Sequence, residues 1–478
     1  MEMNQERSSA ETAEKQSKMQ SKNKSHVSKK QAESGGERST GEELKGFSKL
    51  DLSQRLKKLE SLGLLSQADL DFLKRGGLKD TNLGEKFIEN VIGYFQMPLG
   101  VATNFRIDGK DFVIPMAVEE TSIVAAASKT AKWVREKGEI QTRLIGQNII
   151  GQVQIAKAKN PERSQKIIES NSQNLIEELN REVTFGLVKR GGGVRQITTR
   201  LIDRPQDADK KTDSTSLAKM LVVHIEMDPV DAMGANLVNQ ACEYLKEPIE
   251  RLTGETVTMC ILSNLVDTRV TRAEVILNEI DPQLAEKIEE ASLFARLDPY
   301  RAATNNKGVL NGIDAVLLAT GNDWRAVEAG VHAYASRSGQ YRSITTWKKE
   351  GDCLRGVLEA PIIVGTVGGV TNLHPAARMS LNMLGVQTAA DFSRVLAAVG
   401  LVQNLGALRA LTTVGIIEGH MRLHIKNLSL GAGAEEREMP FVVKKLEEIL
   451  ALKKRISLSN AIEVLKDLRE KSRVSESC

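Results

Sequence analysis

The stretch KMLVVHIEMDPVDAMGAN, residues 219–236, decides the fold. Its first nine residues, Lys219–Met227, are rich in β-branched and long aliphatic side chains and read as a strongly apolar strand. DAMGAN, 231–236, then turns on small residues and opens a helix predicted from about Met233 to Leu252. A small-residue turn at a helix N-terminus exposes backbone N–H groups and the positive end of the helix dipole, which suits a pyrophosphate. A plainer reading stands beside it, with Asp231 an ordinary N-cap and Gly234 and Ala235 present for packing. Upstream, the pattern predicts a strand at Gln152–Lys157, a helix at Arg163–Asn180, a glycine loop at 191–193 and a strand at Gln196–Leu201. Downstream it predicts a strand at Thr256–Leu262. This strand-helix-strand-strand-helix-strand order is the ferredoxin-like split pattern, and over 148–263 it looks like a domain inserted into a larger one.

The flanking sequence supplies that larger domain. Leu52, Leu56 and Leu59 share one helical face, and a second short helix starts at Ser66, with Asp69 in its first turn, and stops at Gly76-Gly77. Residues 101–118 read as a hairpin turning at Asp108-Gly109, followed by a helix whose alanines at 125–127 would admit a close neighbour. Mixed α/β returns over 264–417. The last part, 418–478, is mostly helical, with Leu446, Ile449, Leu450, Ile462, Leu465 and Leu468 in apolar stripes. Residues 1–46, free of aromatics and poor in aliphatics, cannot bury enough apolar surface to offset their ordering entropy, so a disordered tail is predicted.

Composition narrows the function classes. The chain has 478 residues, with Lys+Arg 66 against Asp+Glu 62, a formal charge of +4. So balanced a charge gives no electrostatic reason to expect a nucleic-acid partner. Aromatics are only 4%, which argues against base-stacking platforms and for an aliphatic, alanine-rich core. Cys242, Cys260, Cys353 and Cys478 are scattered, which points to a reducing compartment rather than a disulfide scaffold. No apolar run of membrane length and no signal-peptide pattern is read, so a cytoplasmic protein without a membrane span is expected. G-x-G-x-x-G after a strand, G-x-x-x-x-G-K-S/T and G-x-S-x-G are all missing, which disfavours Rossmann dehydrogenases, P-loop enzymes and α/β-hydrolases.

Several constellations remain. KRGGG, 189–193, is a phosphate-loop candidate, with Lys189 and Arg190 adding charge, or else a flexible connection. Glu119 and Glu120 lie at a strand-to-helix junction, where carboxylates are favoured by the helix dipole; in so apolar a setting one could also do acid–base work. DPYRAATNNKGVLNGID, 298–314, sets Lys307 among Asn and Gly residues near Asp323 of GNDWRAVEAG, 321–330. A lysine held by an aspartate stays protonated and can stabilise an oxyanion. His420 and His424 in GHMRLH, 419–424, have metal-pair spacing without a third ligand, so a histidine acid is preferred and no metal is expected. His224, His332 and His374 read as structural.

Together with ENVIG (89–93), VEETSIVAAAS (118–128), LSNL (262–265), VGGVTNLHP (367–375) and QNLGALRAL (403–411), these segments in this order resemble 3-hydroxy-3-methylglutaryl-coenzyme A reductases of the soluble class II bacterial type. The resemblance runs from about residue 50 to 470. It implies an α+β fold: a large mixed helical and sheet substrate-binding and dimerisation domain (47–147 and 264–417), an inserted ferredoxin-like, non-Rossmann NAD(P)-binding domain (148–263), and a helical C-terminal flap (418–478). The activity implied is the four-electron reduction of 3-hydroxy-3-methylglutaryl-CoA (HMG-CoA) to mevalonate with release of CoA. Lys307 would stabilise the oxyanion, Asp323 would hold the lysine, Glu120 would transfer a proton to the reduced oxygen, and His420 would protonate the departing thiolate. Ser122, Arg301 and Asn311 match substrate-binding positions, and Asp231, Met233, Gly234, Asn236 and Asn264 match cofactor contacts. A homodimer with sites at the subunit interface is implied.

NAD-preferring members can carry an acidic residue just before the triple-glycine loop. Here the matching positions are Val183 and Thr184, while Lys189, Arg190 and Arg181 favour the 2′-phosphate of NADPH. NADPH and the biosynthetic direction are therefore expected. NADH stays open because Glu182 is adjacent, as does NAD-dependent oxidation of mevalonate. A silent scaffold of the same fold is disfavoured by the complete charged quartet.

Overall fold

The computed structural model describes residues 43–205, 219–413, 416–453 and 455–476, with side chains throughout except at 416–423 and 472–476. The tail expected over 1–46 lies almost wholly outside the described residues. By compactness the chain divides after Ser48. Of the first unit, residues 43–48 are described, and Phe47 opens a single 3-10 turn.

The second unit begins with α1 (Leu52–Ser61) and α2 (Gln67–Lys74), each started by a capping box, Asp51 with Gln54 and Ser66 with Asp69. Of the expected stripe on α1, Leu59 is buried while Leu52 is exposed. β1 (Leu99–Ile107) and β2 (Lys110–Ala117) form the hairpin. Asp108 and Gly109 both have positive φ, 49° and 78°, in the two-residue turn that Asp-Gly favours. Asp108 also accepts from Thr142 N and Oγ1, pinning the turn to the next sheet. α3 (Ile123–Lys137) and β3 (Gly138–Ile145) follow.

After Ile145 the chain builds a separate sheet. Its elements are β4 (Ile149–Ile155), α4 (Pro161–Ser170), α5 (Ser172–Glu182), the short α6 (Phe185–Val188), β5 (Gly193–Asp203), β6 (Lys219–Asp228), α7 (Ala235–Tyr244), α8 (Lys246–Thr253) and β7 (Met259–Leu262). The strand order is β5-β6-β4-β7, antiparallel throughout. The apolar strand read from sequence alternates: Leu221, Val223, Ile225 and Met227 are fully buried, while His224 and Glu226 lie on the more open face. Each helix predicted here is broken. Asn171 turns its amide back onto Ile167 O, ending α4. Pro248 has no N–H for Tyr244 O, so the second helix breaks at Leu245.

The chain returns at Val270, where β8 (Val270–Leu277) pairs antiparallel with β3 in a sheet of order β3-β8-β10-β9. Helices α9 (Pro282–Leu297), α10 (Pro299–Ala319) and α11 (Trp324–Ala335) precede β9 (Thr345–Glu350) and β10 (Cys353–Ala360). Then come α12 (Gly369–Leu373), α13 (Pro375–Leu384) and α14 (Ala389–Thr412). α14 corrects one expectation, because it is long and apolar enough to cross a membrane. Its dispersed Gln, Asn and Gly residues hid that run in the sequence. Two thirds of the apolar window is buried within the fold, as suits a helix that other elements surround. α10 crosses it closely: a Cβ on Gly400 would fall 2.8 Å from Ile313 Cδ1. α15 (Ile416–Gly431), α16 (Met439–Lys453) and α17 (Leu458–Glu476) pack on one another through Ile425, Val442, Leu446, Leu450 and Leu465. Ile462, expected in that stripe, is half exposed.

Candidate active site

α10 is the element that positions the chemistry. Asp298 caps it by accepting from Tyr300 N, and Pro299 occupies the first helical position. Its buried face carries Asn305 and Asn306, which are almost inaccessible to solvent. Asn305 donates to Ser343 Oγ (2.7 Å) and Thr345 Oγ1 (3.1 Å) and accepts from Asn404 of α14 (2.9 Å). Asn404 in turn accepts from Trp347 Nε1 at 2.8 Å. Asn306 donates to Tyr341 Oη and Arg342 O and accepts from Ile344 N. Tyr341 also meets His332 Nδ1 at 2.7 Å. Sequence reading quoted these asparagines only as company for Lys307. They are instead the buried bonds that fix the rotation of α10.

With that rotation fixed, Lys307 faces outward. Its Nζ lies 3.5 Å from Glu120 Oε2, with 64% and 41% of the two side chains exposed. The carboxylate beside Lys307 is therefore Glu120 and not Asp323, which was expected to hold it. Asp323 caps α11 by accepting from Ala326 N (3.2 Å) and lies 3.4 Å from Arg325 Nε. Asn311 is one turn beyond Lys307 on the same stripe and half buried. Arg301 is half buried, and that burial lowers its guanidinium pKa. Ser122 opens α3 with φ 79°, a left-handed conformation that costs a serine strain, and Glu120 stands at the head of this turn. His420 lies on α15, but its side chain is outside the described residues. Among the described residues no cluster of His, Cys, Asp or Glu is arranged to hold a metal.

The two candidate phosphate loops come together. A Cβ on Gly192 would fall 2.6 Å from both Asp228 O and Val230 Cγ2, so KRGGG lies against the segment leading into DAMGAN. Lys189 and Arg190 are exposed beside it. Thr184 is buried and donates to Asn180 Oδ1, Val183 packs into the core, and Glu182 is paired with Arg181 at 2.6 Å. Neither residue at the two matching positions carries a carboxylate.

DAMGAN also reaches the helix that Asp323 starts. Gly234, with φ 93°, is the N-cap of α7, so Asp231 does not cap its own helix. Its Oδ1 accepts from Ala389 N in the first turn of α14, and its carbonyl accepts from Thr366 N. Gly365 has no room for a Cβ beside Met233 N (2.7 Å) and donates to Asn322 Oδ1 (2.9 Å), next to Asp323. Met233 and Asn264 line an apolar cleft with Ile150, Leu262, Ile363 and Ala326 of α11. Asn236 is exposed on the first turn of α7. Two further histidines hold structure: His374 caps α13 and stacks on Phe87, while His224 meets Gln152 Nε2 at 2.8 Å and its burial lowers its pKa.

A family model described as hydroxymethylglutaryl-coenzyme A reductase matches residues 51–425. The 3-hydroxy-3-methylglutaryl-coenzyme A reductase of Archaeoglobus fulgidus is 44% identical over 437 residues, covering 90% of this chain and 96% of its own length. A solved reductase from Streptococcus pneumoniae is 36% identical with a TM-score of 0.73, covering 89% of this chain and 99% of that one. A class II reductase structure from the same organism, bound to NADPH in open conformations, has a TM-score of 0.72 at 36% identity and covers 77% and 100%.

Proposed function

This chain belongs to the hydroxymethylglutaryl-coenzyme A reductase family, and from that premise we propose that it reduces HMG-CoA to mevalonate with NADPH, releasing coenzyme A. The observation that carries the reading is the Lys307–Glu120 pair, 3.5 Å apart and open to solvent on an otherwise locked helix. A thioester carbonyl oxygen placed there meets an ammonium donor and a carboxyl group within one hydrogen-bond shell. Lys307 stabilises the oxyanion as it forms, and Glu120 passes a proton to it. Asp323, at the start of α11, sets the field at the lysine. His420, on α15, protonates the thiolate of departing CoA; a free thiol has a pKa of about 8.5, within reach of an imidazolium donor. Arg301, Asn311 and Ser122 hold the acyl carboxylate and its surroundings.

NADPH, when bound, supplies the hydride. The residues present suit it: two glycine-containing turns lie against one another, Lys189 and Arg190 are exposed beside them, and neither matching position carries an acid. Asp231, Met233, Gly234, Asn236 and Asn264 would line its path to α11, with Asp231 acting through the α14 amide it holds. Segment 148–263 is read as an inserted ferredoxin-like cofactor domain, 47–147 with 264–417 as the substrate domain, and 418–478 as a flap carrying His420. The enzyme is read as a cytoplasmic homodimer.

The test is turnover of purified protein with NADPH and with NADH. NADPH preference is expected, and clear NADH preference would overturn the cofactor assignment. Lys307→Ala should abolish both half-reactions, whereas His420→Gln should impair thiol release and spare mevaldehyde reduction.

A further inference from the structure

The connection between β6 and α7 holds one residue in a conformation that its side chain disfavours. Val230 has φ 58°. Of the six non-glycine residues with positive φ among those described, the other five are Asn, Asp, Ser or Glu. A β-branched side chain is strained there, and such strain persists only where the surroundings over-determine it. Ala232 N donates to Pro229 O at 3.2 Å, which makes Val230 the first central residue of a turn. With positive φ, that position favours Gly, Asn or Asp.

Bonds and packing on both sides hold the turn. Val230 N donates to Asp228 Oδ1 at 2.9 Å. The Val230 side chain packs on the core of the β5-β6-β4-β7 sheet and fills the space where Gly192 would carry a Cβ. The next residue reaches segments beyond β10: Asp231 O accepts from Thr366 N and Asp231 Oδ1 from Ala389 N, each at 3.0 Å. Returning Val230 to negative φ would rotate the following peptide and carry Asp231 away from both amides. Each amide leads on to the quartet. Gly365, beside Thr366, presses on Met233 N and donates to Asn322 Oδ1, next to Asp323. Ala389 opens α14, whose Asn404 donates to Asn305 of α10, two residues before Lys307.

We propose that Val230 and Asp231 are positioning residues, a strained strap that seats the DAMGAN turn on Thr366 and on the start of α14, and so fixes that turn relative to Lys307. The role in catalysis rests on the reading of this chain as an NADPH-dependent reductase. Asp231 then acts as an acceptor of main-chain amides and not as a ligand of the dinucleotide. Loss of the strap shifts the cofactor turn against α10 and leaves the groups that hold the dinucleotide intact. The expected signature is a fall in kcat with little change in cofactor affinity, since a small misplacement of reacting groups costs rate more than binding.

The experiment compares the full-length wild type with Asp231→Ala, Asp231→Asn, Val230→Gly and Val230→Pro. Its first arm needs neither cofactor nor turnover: hydrogen–deuterium exchange of the Thr366 and Ala389 amides. In Asp231→Ala the Ala389 amide should exchange about tenfold faster or more, the scale of one charge-assisted hydrogen bond. Asp231→Asn keeps an acceptor oxygen and should restore most of the protection. Val230→Gly holds the turn without strain and should keep both amides protected. Val230→Pro, with φ locked near −65°, should expose both. Should the proline variant fail to fold, the two Asp231 variants still decide the outcome. Wild-type exchange of both amides in folded Asp231→Ala overturns the strap, as does Asp231→Asn exchanging like Asp231→Ala. The second arm is steady-state turnover beside NADPH titration by fluorescence. In Asp231→Ala kcat should fall about tenfold or more while the NADPH Kd stays within about threefold of wild type. A rise in Kd that matches the loss of kcat/KM makes Asp231 a cofactor ligand and overturns the positioning role. An inactive wild type whose amides respond as described supports the strap and faults the reductase reading instead.

Discussion

Replacing Asn404 with leucine tests whether buried polar bonds, rather than apolar packing, orient α10. Asn404 is 1% exposed, so its two partners cannot turn to water. The substitution removes the acceptor of Trp347 Nε1 (2.8 Å) and the donor to Asn305 Oδ1 (2.9 Å). Each orphaned buried group costs about 1–3 kcal/mol, so the pair costs roughly 2–6 kcal/mol. Leucine is close in volume and regains up to about 2 kcal/mol from apolar burial. Subtracting that gain leaves a net destabilisation of roughly 0–4 kcal/mol, about 2 kcal/mol at the middle of the range. Denaturant unfolding followed by tryptophan fluorescence should show a lower midpoint with an unchanged m-value. Because Asn305 lies two residues before Lys307, kcat should fall more than KM rises at temperatures where the variant is still folded. A variant clearly more stable than wild type, or a folded one with full kcat, would refute the argument that this network sets the lysine.

The remaining predictions concern other parts of the chain. Gly234→Ala should weaken dinucleotide binding with little change in HMG-CoA binding, since its Cβ would fall 2.5 Å from Ile149 Cδ1 at a φ of 93°; an unchanged NADPH titration counts against DAMGAN as a cofactor loop. Glu255→Gln should cost about 1.5–3 kcal/mol in thermal or denaturant unfolding, because the buried carboxylate accepts from Lys159 N, Asn160 N and Ser164 Oγ at the start of α4. Glu438 is held at about 2, chiefly by its hydrogen bonds from Arg469. A depressed carboxylate stabilises the folded form fully above its ordinary 4.5 and loses that effect as pH falls through about 2. Acid titration by circular dichroism should therefore show helix loss at a higher pH in Glu438→Gln than in wild type.

Local signals were legible in the sequence because they act over a few residues. Asp108-Gly109 set its turn, Ser66 with Asp69 set a cap, and the order of strands around Lys219–Met227 survived in the antiparallel β5-β6-β4-β7 sheet. The helix breaks at Asn171 and Leu245 were not read, although Pro248 was visible, because apolar periodicity runs straight through both. Motif order also marked the charged residues of the candidate site. Partners distant in sequence could not be read from one chain. The Glu120 contact to Lys307 and the Asp231 contact to α14 each depend on how packed elements meet. Gly192 looked like a phosphate cradle, yet its lack of a Cβ is already required by Asp228 O and Val230.

α10 shows why a site can be half visible in sequence. Its residues serve two surroundings at the pitch of one helix. Ala302, Asn305, Asn306, Val309 and Ile313 face the core, while Lys307, Asn311 and Asp314 follow the opposite stripe. A residue turns through about 100° per step, so the angle at which Lys307 leaves the helix is fixed once Asn305 and Asn306 have found their partners. Leucines in their place would bury as well but would accept several rotations of similar energy, since apolar contact has no direction. Hydrogen bonds to Ser343, Thr345, Tyr341 and Asn404 leave only one. The buried asparagines thus exchange the tolerance of a greasy contact for a fixed angle, and the exposed lysine is the group whose direction that angle sets.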